Sequence, residues 1–110
     1  MPTRDALVRL GDEARAEVAT LERDLDGLFE ASRSSNADDE HDPEGSTIAF
    51  ERAQLTAVLA AARRRAADLG EAVRRLDAGS YGVCQSCGAA IPAERLAARP
   101  SARTCVGCAS

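Results

Sequence analysis

Cys84-Gln85-Ser86-Cys87 and Cys105-Val106-Gly107-Cys108, separated by the residues from Gly88 to Thr104, decide how the C-terminal part of this chain folds. Each Cys-x-x-Cys pair sets two thiolates on one tight turn. Two such turns facing each other offer four sulfurs at about 2.3 Å from a single Zn²⁺, and the spacer length suits a site of this kind. These four are the only cysteines, so none is left over. Gly88 and Gly107 fall where the backbone is expected to bend sharply around the metal. A site closed by four sulfurs has no open position for water, which assigns the metal, one ion per chain, a structural task.

Three other uses of the cysteines compete with zinc. Two disulfides need an oxidising compartment, and Met1-Pro2-Thr3-Arg4-Asp5 opens a polar helix rather than the apolar run of a signal peptide. A thioredoxin-type redox pair follows a buried strand and opens a helix, whereas Ser80-Tyr81-Gly82-Val83 is a turn-like lead-in. A rubredoxin-like iron site uses the same thiolates, so spacing alone leaves iron open beside zinc.

Upstream of the cysteines the pattern is helical. Ile48, Leu55, Leu59, Ala62, Ala66, Leu69, Val73 and Leu76 recur at helical spacing, as expected for a coiled-coil seam. An equivalent stripe runs through Leu7, Leu10, Ala14, Val18, Leu21, Leu25 and Leu28, within a helix predicted from Thr3 to about Arg33. Thr3 is its expected N-cap and Asp5 lies in its first turn, while Gly11 and Gly27 weaken it locally by up to about 1 kcal/mol each. The polar segment Ser32 to Ser46, with Asp42-Pro43-Glu44-Gly45, is long enough to reverse the chain. The prediction is an all-α fold: an antiparallel helical hairpin (coiled coil) over residues 1–79, with a tip at 34–46, followed by a small four-cysteine zinc finger over 80–110. Arms of about 30 residues would extend roughly 45 Å. Gly79 suits a left-handed helix cap, and Ile91 to Arg99 reads as a short helix with Pro92 near its first turn and Pro100 as its stop.

Composition agrees with helices and a metal rather than a large core. Aromatic residues make up 3% of 110 residues, with no Trp, against 29% charged and 45% hydrophobic residues. No stretch approaches the roughly 20 apolar residues that span a bilayer, so a cytoplasmic protein is expected. All 14 basic residues are arginine and the net charge is −4, which does not favour a general phosphate-binding surface. At the tip, Asp38, Asp39, Glu40, Asp42 and Glu44 form an acidic run without a basic residue. Such a run is often only solvated, but carboxylates on a stiff arm can also hold or reposition Mg²⁺. The spacing is not that of an EF-hand, and His41 reads as a solvated turn residue rather than a ligand.

A helical hairpin followed by Ser80-Tyr81-Gly82-Val83-Cys84-Gln85-Ser86-Cys87-Gly88, then Ile91-Pro92, Arg95-Leu96, Ala98-Arg99-Pro100 and Thr104-Cys105-Val106-Gly107-Cys108, resembles the DksA/TraR family of C4-type zinc-finger proteins. From Asp77 to Cys108 the resemblance lies in the residues themselves, and from Thr3 to Leu76 in the architecture. It implies a regulator that binds bacterial RNA polymerase and inserts its coiled-coil tip through the secondary channel toward the catalytic Mg²⁺. The family's tip pattern, Asp-x-x-Asp-x-Ala, is matched by Asp39 and Asp42, with Glu44 in the alanine position. An alternative alignment pairs Asp42-Pro43 with the family's Asp-Pro and leaves Gly45 in place of the second acid. Only Ala109 and Ser110 follow Cys108, so the resemblance does not extend to the helix that follows the finger in longer members, nor to a response to guanosine tetraphosphate.

The leading expectation is therefore a monomeric, non-enzymatic transcription regulator whose partner is RNA polymerase, with Asp39, Asp42 and Glu44 acting near the polymerase active site. No sequence-specific DNA binding and no membrane association are expected. The alternatives are a passive interaction module and a zinc-ribbon nucleic-acid binder. The latter would use Arg95, Arg99 and Arg103 near the metal and Arg63, Arg64, Arg65, Arg74 and Arg75 on the second helix, yet it lacks an aromatic stacking set. An enzyme is disfavoured, since there is no nucleophile and base pair and no open metal position.

Overall fold

The computed structural model describes residues 1–35 and 43–109, with the side chains of 32, 34, 35 and 43–45 outside the description. It contains four helical elements: α1 (Arg4–Ser35), α2 (Pro43–Ala78), the short α3 (Ala93–Ala98) and a 3₁₀ turn, η1 (Val106–Cys108). The described residues form no strand, only an isolated antiparallel bridge between Val83 and Ala90.

Helix α1 starts as its sequence dictates. The Thr3 hydroxyl accepts the amide of Ala6 at 3.1 Å, which satisfies one otherwise orphaned donor, and the Thr3 carbonyl accepts that of Leu7 at 3.0 Å as the first bond of the helix. Both long helices run further toward each other than the predicted reversing segment of 32–46 allowed. α1 continues to Ser35 and α2 opens at Pro43, where a missing N–H costs nothing because the first helical amides have no intrahelical partner. α2 ends in a Schellman motif: Gly79 at φ 81° lets its own amide reach Leu76 O at 3.1 Å, while Ser80 N reaches Arg75 O at 2.9 Å.

The chain divides into two compact units. One comprises Ala14–Arg64, with the C-terminal part of α1 and the N-terminal part of α2. Here Glu22 pairs with Arg63 at 2.9 Å and the Arg52 guanidinium lies 5.3 Å from the centre of the Phe29 ring, so positions rising along α1 meet positions falling along α2. That is antiparallel pairing. Its buried seam is built from Ala14, Leu59 and Ala62, flanked by half-buried Val18, Leu21, Leu25, Leu28, Ile48 and Leu55. Phe50 and Val58 lie outside the seam and are exposed.

The other unit joins Met1–Glu13 to Arg65–Ser110 and contains the start of α1, the end of α2 and the whole cysteine module. Arg4 and Asp77 tie the two helix ends together at 2.8 Å. The Arg4 guanidinium holds the Asp77 carboxyl below its ordinary value, chiefly through the hydrogen bond itself. Leu7, Leu69, Ala72, Tyr81, Ile91 and Leu96 are buried, as is Gly11, which the sequence marked only as a weak point of the helix. Ala72 and Arg75 widen the buried face of α2 beyond a two-helix seam, because the cysteine module supplies additional cover in this unit.

Candidate metal centre

The first cysteine pair sits on a knuckle closed by its own backbone. Gly88 N reaches Cys84 O at 2.9 Å, Cys84 N reaches Ala89 O at 2.8 Å, and Ile91 N returns to Gly82 O at 2.7 Å. Gly82 and Gly88, at φ 85° and 77°, make this path possible in the region that side chains with a Cβ rarely adopt. In the second pair, Cys108 N and Ala109 N close on Cys105 O at 3.1 and 3.0 Å, forming η1. Gly107 therefore lies in a tight turn but is not at positive φ, and the sharp bend expected there is made by the 3₁₀ hydrogen bonds instead.

The two knuckles bring Cys84, Cys87, Cys105 and Cys108 together with all four Sγ atoms within 4.8 Å of one another, a cluster able to hold one metal ion. Cys87 Sγ and Cys105 Sγ are 3.8 Å apart, close to the ~3.8 Å edge of a tetrahedron with metal–sulfur bonds of about 2.3 Å. All four cysteines are free thiols, and they grade from buried Cys84 through half-buried Cys105 and Cys108 to exposed Cys87.

The electrostatics of the cluster ask for a cation. Backbone amides of Cys105 and Cys87 directed at the Cys84 sulfur bring its pKa down to about 6. Cys108 is pushed up to about 12, first by its hydrogen bond with Cys105 and then by those with Cys84 and Cys87. Metal-free, the cluster accepts one thiolate readily and resists accumulating more, and a divalent ion at its centre removes that conflict.

The profile of the prokaryotic dksA/traR C4-type zinc finger matches residues 79–110. The structure is similar to that of transcription factor DksA2 from Pseudomonas aeruginosa, with a TM-score of 0.77, 29% identity, and coverage of 94% of this chain and 74% of that one. The finger is of the DksA/TraR C4 type, and the likeness to DksA2 takes in most of the fold. A curated relative, an uncharacterized protein from Aquifex aeolicus (strain VF5), is 40% identical over 42 residues, which is 38% of this chain and 29% of the relative's length. The DksA/TraR match resolves the choice that spacing left open: the metal of a C4-type finger is zinc, one ion per chain, in a structural role. The matched family is one of zinc fingers rather than of enzymes.

The other candidate residues divide sharply. Asp39 and Asp42 lie outside the described residues, as does His41, and Glu44 is described only as backbone in the first turn of α2. Of the arginines considered for nucleic acid, Arg63 pairs with Glu22, Arg74 with Glu71 and Arg103 with Asp68. Arg95 donates to Thr104 O at 2.8 Å, and Arg75 is buried. Among the described residues, no helix is long and apolar enough to cross a membrane. Arg75 and Tyr81 have structural roles that the sequence did not single out. The one available signal was position, since Arg75 lies three residues after the buried Ala72 and has a long apolar stem.

Proposed function

We propose that this chain is a transcription regulator that binds bacterial RNA polymerase and carries the segment between α1 and α2 into the secondary channel, toward the catalytic Mg²⁺. The observation that carries this reading is the likeness to the transcription factor DksA2 along 94% of the chain, which takes in both long helices as well as the finger. Cys84, Cys87, Cys105 and Cys108 serve as the four zinc ligands, and their cluster of sulfurs within 4.8 Å supports that assignment. Asp39, Asp42 and Glu44 are the acids that act at the polymerase centre. The helical part, residues 1–79, provides reach, the finger at 80–110 provides a rigid base, and the chain acts as a cytoplasmic monomer without enzymatic activity of its own.

The test is a pull-down of zinc-loaded protein with core RNA polymerase, run beside a mobility assay with free duplex DNA. Polymerase binding without DNA binding is expected. DNA binding without polymerase binding would overturn the proposal in favour of a nucleic-acid finger. That second reading has one feature in its favour, a polar cleft lined by Arg95, Arg99, Ser101 and Arg103. Against it, Asp68 lines the same cleft and offsets the charge of Arg103, and one donor of Arg95 is taken by Thr104 O.

A further inference from the structure

The segment from Arg99 to Thr104 delivers the second cysteine pair, yet it is neither helix nor strand. Each of its carbonyls nevertheless has a donor, as a rigid irregular segment requires. Arg99 O accepts Ala102 N at 2.9 Å and Arg103 O accepts Gln85 N, from the first knuckle, at 2.9 Å. The remaining donors are side chains. Tyr81 Oη donates to Pro100 O at 2.7 Å, Arg95 Nε to Thr104 O at 2.8 Å, and Arg75 Nη2 reaches both Ser101 O and Ala102 O at 3.5 Å.

Arg75 is the unusual member. It lies in the last turn of α2 and is only 6% exposed, and its Nη1 has no hydrogen-bond partner among the described residues. Its own carbonyl accepts Ser80 N at 2.9 Å, so the backbone is fixed by the helix cap while the side chain faces residues 100–104, a strap over the helix end. A guanidinium held this deep needs polar partners to offset its lost hydration, and the strap's carbonyls are the ones that the structure provides. Anything that orders the strap therefore also favours the helix end from which Arg75 projects. By thermodynamic reciprocity, the ordered helix end favours whatever orders the strap.

We propose that Arg75 and Arg95 are positioning residues for the zinc site. They hold the 100–104 strap in the conformation that presents Cys105 and Cys108, and Arg75 makes zinc loading and the order of the adjoining helix ends, residues 4–13 and 65–78, mutually dependent. This rests on the assignment of the four cysteines as zinc ligands.

The experiment uses the full chain and begins with its zinc content. Zinc affinity is then measured by competition with a chromophoric chelator, Co²⁺ absorption reports the ligand geometry, and hydrogen exchange is compared before and after chelation. In the wild type, chelation is expected to raise exchange in 4–13 and 65–78 as well as in the finger. Arg75→Met keeps the apolar stem but loses the donors. It is expected to weaken zinc binding about tenfold or more, as outer-shell losses do at metal sites, while the four-thiolate Co²⁺ spectrum persists and exchange in 4–13 becomes insensitive to zinc. Arg75→Lys should restore part of the affinity, and Arg95→Met should weaken binding while leaving the helix response in place. Affinity of Arg75→Met within about twofold of wild type would overturn the inference. So would wild-type exchange in 4–13 that chelation leaves unchanged, a result that decides the matter even if the variant fails to fold. A wild-type chain that takes up no zinc would sink the ligand assignment and this inference together, whereas one zinc without coupling would sink this inference alone.

Discussion

Leu7→Ala probes the packing at the start of α1. The Leu7 side chain is fully buried, at 0% exposure, in the unit that joins the start of α1 to the end of α2 and the finger. The substitution removes three carbons, worth about 2.4 kcal/mol at roughly 0.8 kcal/mol per methylene. The cavity left behind adds to this, so the expected cost is about 3 to 4 kcal/mol. In urea, that should lower the unfolding midpoint by roughly 2 M, with an unchanged slope. The assay is far-UV circular dichroism of the zinc-loaded protein at two protein concentrations. Val58→Ala, at a site 49% exposed, is the control and should stay within about 0.5 kcal/mol of wild type. A Leu7→Ala cost below about 1 kcal/mol would refute burial at this position. Midpoints that move with protein concentration would show that a second chain, not this one, covers the stripe.

Replacing any one of Cys84, Cys87, Cys105 or Cys108 by Ser should unfold the finger, because metal binding contributes about 10 kcal/mol or more to the folding of comparable modules; native-state mass spectrometry showing one zinc in such a variant, with a folded finger, would contradict this. At pH 7 the metal-free cluster carries the Cys84 thiolate, with its pKa about 6, and a protonated Cys108, with its pKa about 12, so loading displaces protons. Zinc affinity should accordingly rise with pH, and should fall more steeply below about pH 6, where binding must displace a proton from Cys84 as well; an affinity independent of pH in a dye-competition titration would count against the thiolate site. Gly27→Ala and Gly88→Ala should have opposite signs in thermal unfolding, although a Cβ meets nothing within 4 Å at either site. The helical Gly27 should gain up to about 1 kcal/mol, while Gly88, at φ +77°, should lose about 1 to 2 kcal/mol to backbone strain alone.

Most of the frame could be read from residue spacing because the interactions that build it are local or repetitive. Leu7, Ala14, Leu59, Ala62 and Leu69, chosen by their three-and-four spacing, are buried, and the other stripe positions are half-buried. Two Cys-x-x-Cys pairs announce a cluster because few other arrangements use all four thiols. What spacing could not show is burial that depends on a third layer. Arg75 looks like one more charge on a solvated helix face until the 100–104 strap folds over it, and Tyr81 finds its acceptor on Pro100, far along the chain. The helix ends are the other departure. The polar residues near Ser35 and Pro43 suggest a long turn, but helices already propagating through packed seams extend into such residues at little cost.

The most direct test of the account is in vitro transcription with purified polymerase, comparing wild type with the Asp39→Asn, Asp42→Asn double variant. Solvated acids contribute little to docking, so affinity for polymerase should remain within about 1 kcal/mol of wild type. Regulation should be lost, because the substitution removes charge at the catalytic centre while nearly preserving shape. A double variant that binds polymerase and still regulates like the wild type would contradict the claim that the tip carboxylates act at the polymerase active site.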